Sequence, residues 1–319
     1  MRFIIKRLLQ GLGVLLGTLT LVFFIFSFVP DPARELAGQT ERESVVQAFR
    51  HKHGLDLPIY SRYISFISNA AIGDLGSSYI TDRPVTDSIK GALPATLILA
   101  SVAMFFATFF GIMIGLVLAI FPESRIGDIV LSICALGMSA PSFVVAILVA
   151  WLFGYVLHSY THLPMTGGMI IVDPFEGPRL AWAHLILPAF TLGIRPLAVI
   201  IQLSRNSAIE VLGAPYIRTA RAKGLSRSRI LLHHVLRNSL NPVLTATSGW
   251  FASMLAGAVF VEFVFGWKGM GLLMFNALES GDLPIVMGCT LVISSIFVLI
   301  NVAVDLLYGI LDPRVRSSR

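Results

Sequence analysis

Two long apolar runs are joined by a loop that contains the segment Pro215-Tyr-Ile-Arg-Thr-Ala-Arg-Ala-Lys-Gly-Leu225. An ordinary connecting loop would be shorter and more polar. Pro215 suits the first position of a helix and Gly224 suits a left-handed cap, so residues 216–223 are predicted to form one short helix. Ser226 is a favourable N-cap for a second helix, in which apolar residues recur at helical spacing between 230 and 236. A short helix held crosswise between two longer helices would act as a rigid lever.

Two interpretations of this basic loop follow from the residues themselves. Ala220, Ala222 and Gly224 are small, which would allow another protein to approach the helix closely. Alternatively, the lysines and arginines of the loop would hold it on anionic lipid headgroups.

The composition places the chain in a membrane. Of 319 residues, 55% are hydrophobic and only 13% are charged, whereas soluble domains carry about 25% charged residues. Cys134 and Cys289 both lie inside apolar runs, so they are interpreted as small hydrophobic residues and not as a disulfide. The net charge of +6 is of the kind that basic cytoplasmic loops give a membrane protein, so nucleic acid is not expected as a partner.

Six apolar stretches approach or exceed the roughly 20 residues needed to cross the hydrocarbon core. The first is longer than the apolar part of a signal peptide and is interpreted as a retained span. The predicted architecture is an all-α integral membrane protein in a single domain, 1–319, with spans at 8–29, 95–121, 129–157, 181–204, 241–263 and 283–307.

The distribution of positive charge predicts the orientation. Fourteen of the 24 lysines and arginines lie in segments 1–7, 122–128, 205–238 and 312–319, which six spans place on one side. The positive-inside rule therefore assigns both termini and the loop 205–240 to the cytoplasm, and the segment 30–93 to the outside. That external segment is predicted to be helical, with Gly54 ending one helix and residues 60–67 forming an amphipathic second one. It is either a lid or a surface for a partner.

The segment Tyr216–Leu225 resembles the coupling loop of ATP-binding-cassette importer permeases, in their dipeptide/oligopeptide/nickel subfamily. The broad pattern of that loop, Glu-Ala-Ala, three residues and Gly, falls on Arg218, Thr219, Ala220 and Gly224, and its first two positions depart from the broad pattern. Two further departures are Pro30-Asp31-Pro32 and Lys268. The resemblance continues in His53–Pro58, Gly73–Ser77, Leu93–Leu97, Ala140–Phe143, Leu255–Phe265, Gly269–Gly271, Val304–Tyr308 and Asp312–Arg314.

The resemblance implies a type I importer permease in the plasma or inner membrane of a bacterium or archaeon, the first of a pair of permeases. The partners it implies are a second permease, two ATP-binding subunits and an external substrate-binding protein. ATP and Mg²⁺ are expected on the ATP-binding subunits, since this chain has no phosphate-binding loop, and no cofactor or metal is expected in the chain itself. The coupling residues it implies are Tyr216, Arg218, Thr219, Ala220, Ala222, Lys223, Gly224 and Leu225.

Charges inside spans are candidate functional residues. Arg195 lies roughly 20 Å from the outer end of the fourth span. It either lines the transport path, where it would meet a peptide carboxylate, or serves a structural pair or snorkels near the cytoplasmic third, which is the preferred interpretation. Glu262 ends the fifth span and either gates the path or binds the following loop. His51 with His53, and His158 with His162, have ligand-like spacing but no acidic or sulfur companion, so solvated or capping histidines are the preferred interpretation.

Two other classes compete with the importer. A secondary transporter predicts acidic residues near the midplane, and an intramembrane enzyme predicts a metal-binding or nucleophile motif; the sequence contains neither pattern. Among importers, the preferred substrates are di- and oligopeptides, with nickel chelates, glutathione and oligosaccharides as alternatives.

Overall fold

The computed structural model describes residues 2–27, 43–173 and 177–311 of the chain. Helices dominate these residues, and two seven-residue segments are π-helical. In chain order they are α1 (Arg2–Ser27), α2 (Glu43–Lys52), α3 (Ile59–Ala71), α4 (Val85–Ile120), α5 (Arg125–Ser139), α6 (Ser142–Val149), π1 (Ala150–Val156), α7 (His158–Thr161), α8 (Ala183–Gly213), α9 (Pro215–Ala222), α10 (Arg227–Arg229), π2 (Ile230–Leu236), α11 (Arg237–Gly257), α12 (Val259–Phe265), α13 (Met270–Glu279) and α14 (Leu283–Leu311).

Four helices of the described residues are long and apolar enough to cross a membrane, and two bent pairs bring the number to six if each pair is one span. They follow the order of the six predicted apolar stretches. The four are Leu9–Ser27, Val85–Ile120, Ala183–Gly213 and Leu283–Val304, and the pairs are Arg125–Ser139 with Ser142–Val156 and Pro242–Leu255 with Val259–Phe265.

Two helices extend beyond the predicted span bounds, and one of them, α4, continues through Pro94. Helix α4 begins at Val85 instead of 95, and α8 continues past 204 to Gly213. A residue that directly precedes proline disfavours the helical conformation, so a helix often ends there. Ala214 precedes Pro215 and is extended, with ψ at 145°, so it ends α8.

The predicted third span is not one straight helix. Its two halves meet at 112° around Ala140 and Pro141. Ala140 is extended, with φ at −71° and ψ at 135°, as expected for a residue before proline. The sequence placed an interruption here but not a bend of this size.

A small β-hairpin precedes α8 and was not predicted. Strand β1 (Ile170–Asp173) pairs antiparallel with β2 (Gly177–Leu180), with Ile170 opposite Leu180. The strands are four residues each, too short to change the all-α class of the protein.

The chain contains two compact units, Met1–Thr96 with Lys268–Arg319, and Leu97–Trp267. The physical reason is that each unit has its own apolar clusters. Pairing of the first and last long helices explains why the first unit joins both ends of the chain.

In the first unit, the core lies between α4 and α14 and includes Val85, Val286 and the fully buried Cys289. The backbone NH of Met270 donates to Thr96 Oγ1 at 2.8 Å and so fixes the start of α13. The turn before α14 is held by a second buried contact, in which the carboxylate of Asp282 accepts hydrogen bonds from Ser78 Oγ and from the backbone NH of Tyr79.

In the second unit, α8 is the central helix and packs against α5 and α11. Helix α8 can lie close to α4 because α4 has a glycine at the contact. A Cβ at Gly115 of α4 would lie only 2.7 Å from the carbonyl oxygen of Ile201 in α8. In its most apolar stretch, 61% of the residues of α8 are buried, so α8 is the scaffold from which both candidate sites project.

Candidate coupling surface and intramembrane site

Helix α9 has the two termini predicted for it. Pro215 occupies its first turn after the extended Ala214. Gly224 follows the last turn with φ at +76°, a backbone conformation that glycine adopts at little cost. Ser226 Oγ accepts from the backbone NH of Arg229 at 3.4 Å, as expected of an N-cap. The loop is therefore ordered, with a short capped helix at its centre.

The inner face of α9 is covered by the chain itself. Ile217 is fully buried and Ala220 is 6% exposed. Both pack in an apolar cluster that also contains Ala119, Ala208, Ile230 and Val235, with Leu225 at its edge. Ala220 is therefore packed against π2, α8 and α4, and its contact with a partner stays a prediction.

The outer face of α9 and its terminal turn are exposed. This face, here called the coupling surface, carries three cations and ends in the open Gly224, where a Cβ would meet no atom within 4 Å. No aspartate or glutamate occurs between 211 and 261, so the charge of this surface is positive. The coupling surface consists of Tyr216, Arg218, Thr219, Arg221, Ala222, Lys223 and Gly224.

Two hydrogen bonds tie the loop to the long helices. Tyr216 Oη accepts from Asn238 Nδ2 at 3.1 Å, which joins α9 to the first turn of α11. Arg205 donates from Nη2 to the carbonyl oxygen of Pro122 at 3.1 Å, which joins α8 to the turn after α4. The first of these bonds links α9 directly to α11, and the second links α8 to α4.

The second candidate site surrounds Arg195. Its side chain is exposed, and its Nη2 donates to the carbonyl oxygen of Met138 at 3.3 Å. It lies about 18 Å along α8 from Ala183, at 1.5 Å per residue. A charged side chain inside a span is expensive in lipid, so Arg195 stays a candidate functional residue.

A cavity of about 90 Å³ lies beside this arginine. Its lining mixes hydroxyl groups with apolar side chains from three elements, α6, α8 and α11. The lining residues are Ser142, Val145, Thr191, Leu192, Ile194, Arg195, Pro196, Trp250, Ser253 and Met254.

A polar stripe that the sequence analysis missed continues from the cavity along α11. Ser253, Gly249 and Thr245 are all exposed and stand four residues apart, so they share one face of the helix. The signal was present in the sequence, as small and hydroxyl residues at helical spacing inside an apolar span. These residues are uncharged, so they do not stand out from the apolar residues around them.

Glu262 does not belong to this exposed site. It is completely buried, at 0% exposed. The following turn is held by backbone, since the NH of Trp267 donates to the carbonyl oxygen of Glu262 at 2.8 Å. Burial favours the structural alternative for Glu262 over gating.

The histidines have separate environments. His53 lies between the rings of Phe49 and Tyr79, with centroids at 4.4 and 4.7 Å, and burial followed by the charge of Lys52 lowers its pKa. His51 is exposed and its Nδ1 lies 3.7 Å from Asp56. In residues 2–27, 43–173 and 177–311 no group of three or more His, Cys, Asp or Glu is arranged to hold a metal ion.

Comparison with protein families decides between the classes of transporter. Residues 111–317 match the family described as binding-protein-dependent transport system inner membrane component, and residues 1–100 match the N-terminal family of the same components. The chain belongs to this family. The permease is thus a multi-pass plasma-membrane subunit of an ABC importer, and the secondary transporter is ruled out.

Relatives match over the whole chain. The permease is 36% identical to the di/tripeptide transport system permease protein of Pseudomonas aeruginosa, with 99% of each chain covered. It is also 36% identical to the dipeptide and glutathione transport system permease proteins of Escherichia coli K12, with 100% and 99% of each chain covered. Among solved structures, the inward-facing MetNI methionine ABC transporter matches with a TM-score of 0.54 and 20% identity, covering 70% of this chain and 96% of that one, which shows the type I importer fold.

Proposed function

We propose that the permease forms half of the transport path of an ATP-driven importer of di- and tripeptides. The observation that carries the substrate class is the exposed Arg195 beside a cavity lined by hydroxyl groups. Short peptides are zwitterions, and a guanidinium binds a carboxylate strongly through paired hydrogen bonds. Relatives named for dipeptides and di/tripeptides at 36% identity support the same class.

The proposal includes the partners. A second permease faces Arg195 and completes the path, a binding protein delivers the peptide from outside, and two ATP-binding subunits hold ATP and Mg²⁺. The coupling surface binds one ATP-binding subunit, and closure of the ATP-binding subunits moves α9 as a lever. Its positive charge predicts an acidic groove on that partner, since complementary charge guides such docking.

Glutathione is the second candidate, because relatives in Escherichia coli and Shigella dysenteriae carry that name at 36% identity. It is itself a tripeptide with two carboxylates and suits the same arginine. Neutral oligosaccharides would give Arg195 no anionic partner, so they are disfavoured, whereas nickel chelates with carboxylates remain compatible.

Uptake by the reconstituted importer tests the substrate. The permease, its paired permease, the ATP-binding subunits and the binding protein encoded with it are placed in liposomes with ATP inside. We expect uptake of labelled dialanine or trialanine in preference to glutathione and maltotriose. Uptake of maltotriose without peptide uptake would contradict the proposal, and uptake of glutathione alone would favour the second candidate.

The role of Arg195 has its own test. Arg195→Gln is expected to lower dipeptide uptake at least tenfold, about 1.4 kcal/mol of lost transition-state binding, while the complex assembles normally. Arg195→Lys keeps the charge and should retain part of the activity. The matched control is Arg125→Gln, an exposed arginine at the start of α5.

A substrate without the carboxylate separates binding from structure. Arg195→Gln should affect uptake of a dipeptide amide much less than uptake of the dipeptide itself. If both substrates lose uptake equally, or if the variant fails to assemble, Arg195 has a structural role and does not meet the carboxylate.

A further inference from the structure

Helix α3 is amphipathic over its whole length. At about 100° per residue, its apolar residues cover a continuous arc of about 160°, and its hydroxyl, amide and charged residues cover the rest. The apolar arc contains Ile59, Tyr60, Tyr63, Ile64, Phe66, Ile67, Ala70 and Ala71, and the polar arc contains Ser61, Arg62, Ser65, Ser68 and Asn69.

About half of the apolar arc packs against α1. The ring centroid of Phe23 lies 5.3 Å from that of Tyr63 and 5.9 Å from that of Phe66. Tyr63 Oη is 2.7 Å from Thr20 Oγ1, which satisfies both hydroxyl groups. These contacts fix how deep α3 lies along α1.

The depth follows from the length of the first span. Leu9–Ser27 has 19 residues, enough for the hydrocarbon core of about 30 Å. Ser27 is the last described residue of this helix, so Phe23 and Thr20 lie at least about 6 and 10 Å inside the end of the span, at 1.5 Å per residue. The side chains of α3 that contact them therefore reach below the membrane boundary.

The other half of the apolar arc is uncovered. Tyr60 is 71% exposed and Ile64 is 63% exposed, and Leu57, just before the helix, is 49% exposed. Between Asp56 and Asp74 the chain carries a single charge, Arg62. On α1, the helix that α3 packs against, Leu21 and Ile25 are exposed as well.

We propose that α3 is an interfacial helix. Lipid at the membrane surface, and not a soluble protein, covers the edge formed by Leu57, Tyr60 and Ile64. Contact with Thr20 and Phe23 holds one half of the apolar arc at membrane depth, so the adjoining half lies at the same depth. Interfacial helices bury their apolar face about 5–10 Å into the boundary between headgroups and acyl chains. Tyr60 has the amphipathic ring that is enriched at that level.

Depth-dependent quenching tests the proposal with two neighbouring residues. Ile64 and Ser65 are both exposed but lie on opposite arcs of α3, so they form a matched pair. Single cysteines at these positions, in a chain whose Cys134 and Cys289 are replaced by alanine, are labelled with an environment-sensitive fluorophore. The full importer is then placed in phosphatidylcholine nanodiscs, with or without lipid carrying a doxyl quencher high on its acyl chain.

We expect the label at 64 to be quenched several-fold more than the label at 65, and the label at 60 to behave like that at 64. Equal quenching at 64 and 65 would overturn the proposal. So would a label at 64 that ignores the quencher but is shielded when the binding protein is added, because α3 would then be a protein-docking surface. The labelled variants should retain uptake, which shows that these positions tolerate the label.

Discussion

Gly224 and Ala220 are both small residues of the coupling loop, yet they have different tasks. Gly224 is exposed with φ at +76°, whereas Ala220 is buried in the cluster beneath α9. The sequence motif includes both positions and gives no sign of this difference, because side-chain size alone does not say which neighbour requires it. Only packing separates a residue that shapes the loop from one that faces a partner.

Gly224→Val is expected to weaken coupling. A non-glycine residue in this conformation costs about 1–3 kcal/mol, and a β-branched side chain would also enlarge the coupling surface. We expect normal membrane levels, reduced co-purification of the ATP-binding subunits and loss of substrate-stimulated ATP hydrolysis.

Two variants separate strain from contact at this position. Gly224→Asn tolerates the left-handed conformation, so it should recover the part of the effect that is strain. Gly213→Val is the control, a glycine of the same loop whose backbone is not left-handed and around which a Cβ would find open space. Normal coupling and normal co-purification of the ATP-binding subunits in Gly224→Val would contradict a close contact between Gly224 and that partner.

Ala220→Leu and Ala222→Leu are expected to fail in opposite ways. Ala220 has no room for three added carbons, so this variant should lose about 1–3 kcal/mol of stability and accumulate less in the membrane. Ala222 is exposed, so its variant should be stable and bind the ATP-binding subunits less tightly. Thermal unfolding and co-purification of both variants give the comparison. Equal stability of the two would contradict the assignment of inner and outer faces.

At the scale of elements, the sequence predicts best where local signals act alone. Pro215 and Gly224 place both ends of α9, and Gly54, with φ at +63°, lies just after α2 as predicted. Local signals do not give the extension of α8 to Gly213 or the 112° bend at Pro141, since a helix continues or turns according to what it packs against. The hairpin of β1 and β2 was missed because strands of four residues carry too few positions for an alternating pattern.

The turn between α13 and α14 depends on one buried carboxylate. Asp282 is 2% exposed and accepts from Ser78 Oγ and from the NH of Tyr79. Asp282→Ala would leave both donors unsatisfied, at about 1–3 kcal/mol each, so it should clearly lower the unfolding temperature. Asp282→Asn keeps one acceptor oxygen and should be intermediate. Asp74→Ala is the control, an exposed carboxylate that accepts from the NH of Gly76, and an equal loss in both alanine variants would contradict this account.

At the scale of the whole molecule, composition and charge predict the class, and the six apolar stretches predict the order of the spans. What the sequence could not predict is the division into two compact units, because it depends on which helices pair. It also could not predict which polar residues inside spans are exposed. Arg195 and Glu262 looked alike as charges within apolar runs, yet one is open to its surroundings and the other is completely buried.

The orientation of the permease is the last prediction. Positive charge is concentrated in the loop that contains Ser226, and the segment that contains Ser44 lies across an odd number of predicted spans from it. Both serines are exposed, so a cysteine at either position is accessible to reagents. Cys134 and Cys289 are buried, at 7% and 0% exposed, and should react little. A charged, impermeant thiol reagent added to intact cells should therefore label Ser44→Cys and not Ser226→Cys, while a permeant reagent labels both. Labelling of Ser226→Cys by the impermeant reagent would show that the orientation is the opposite one. The coupling surface would then lie outside the cell, where it could not meet an ATP-binding subunit in the cytoplasm.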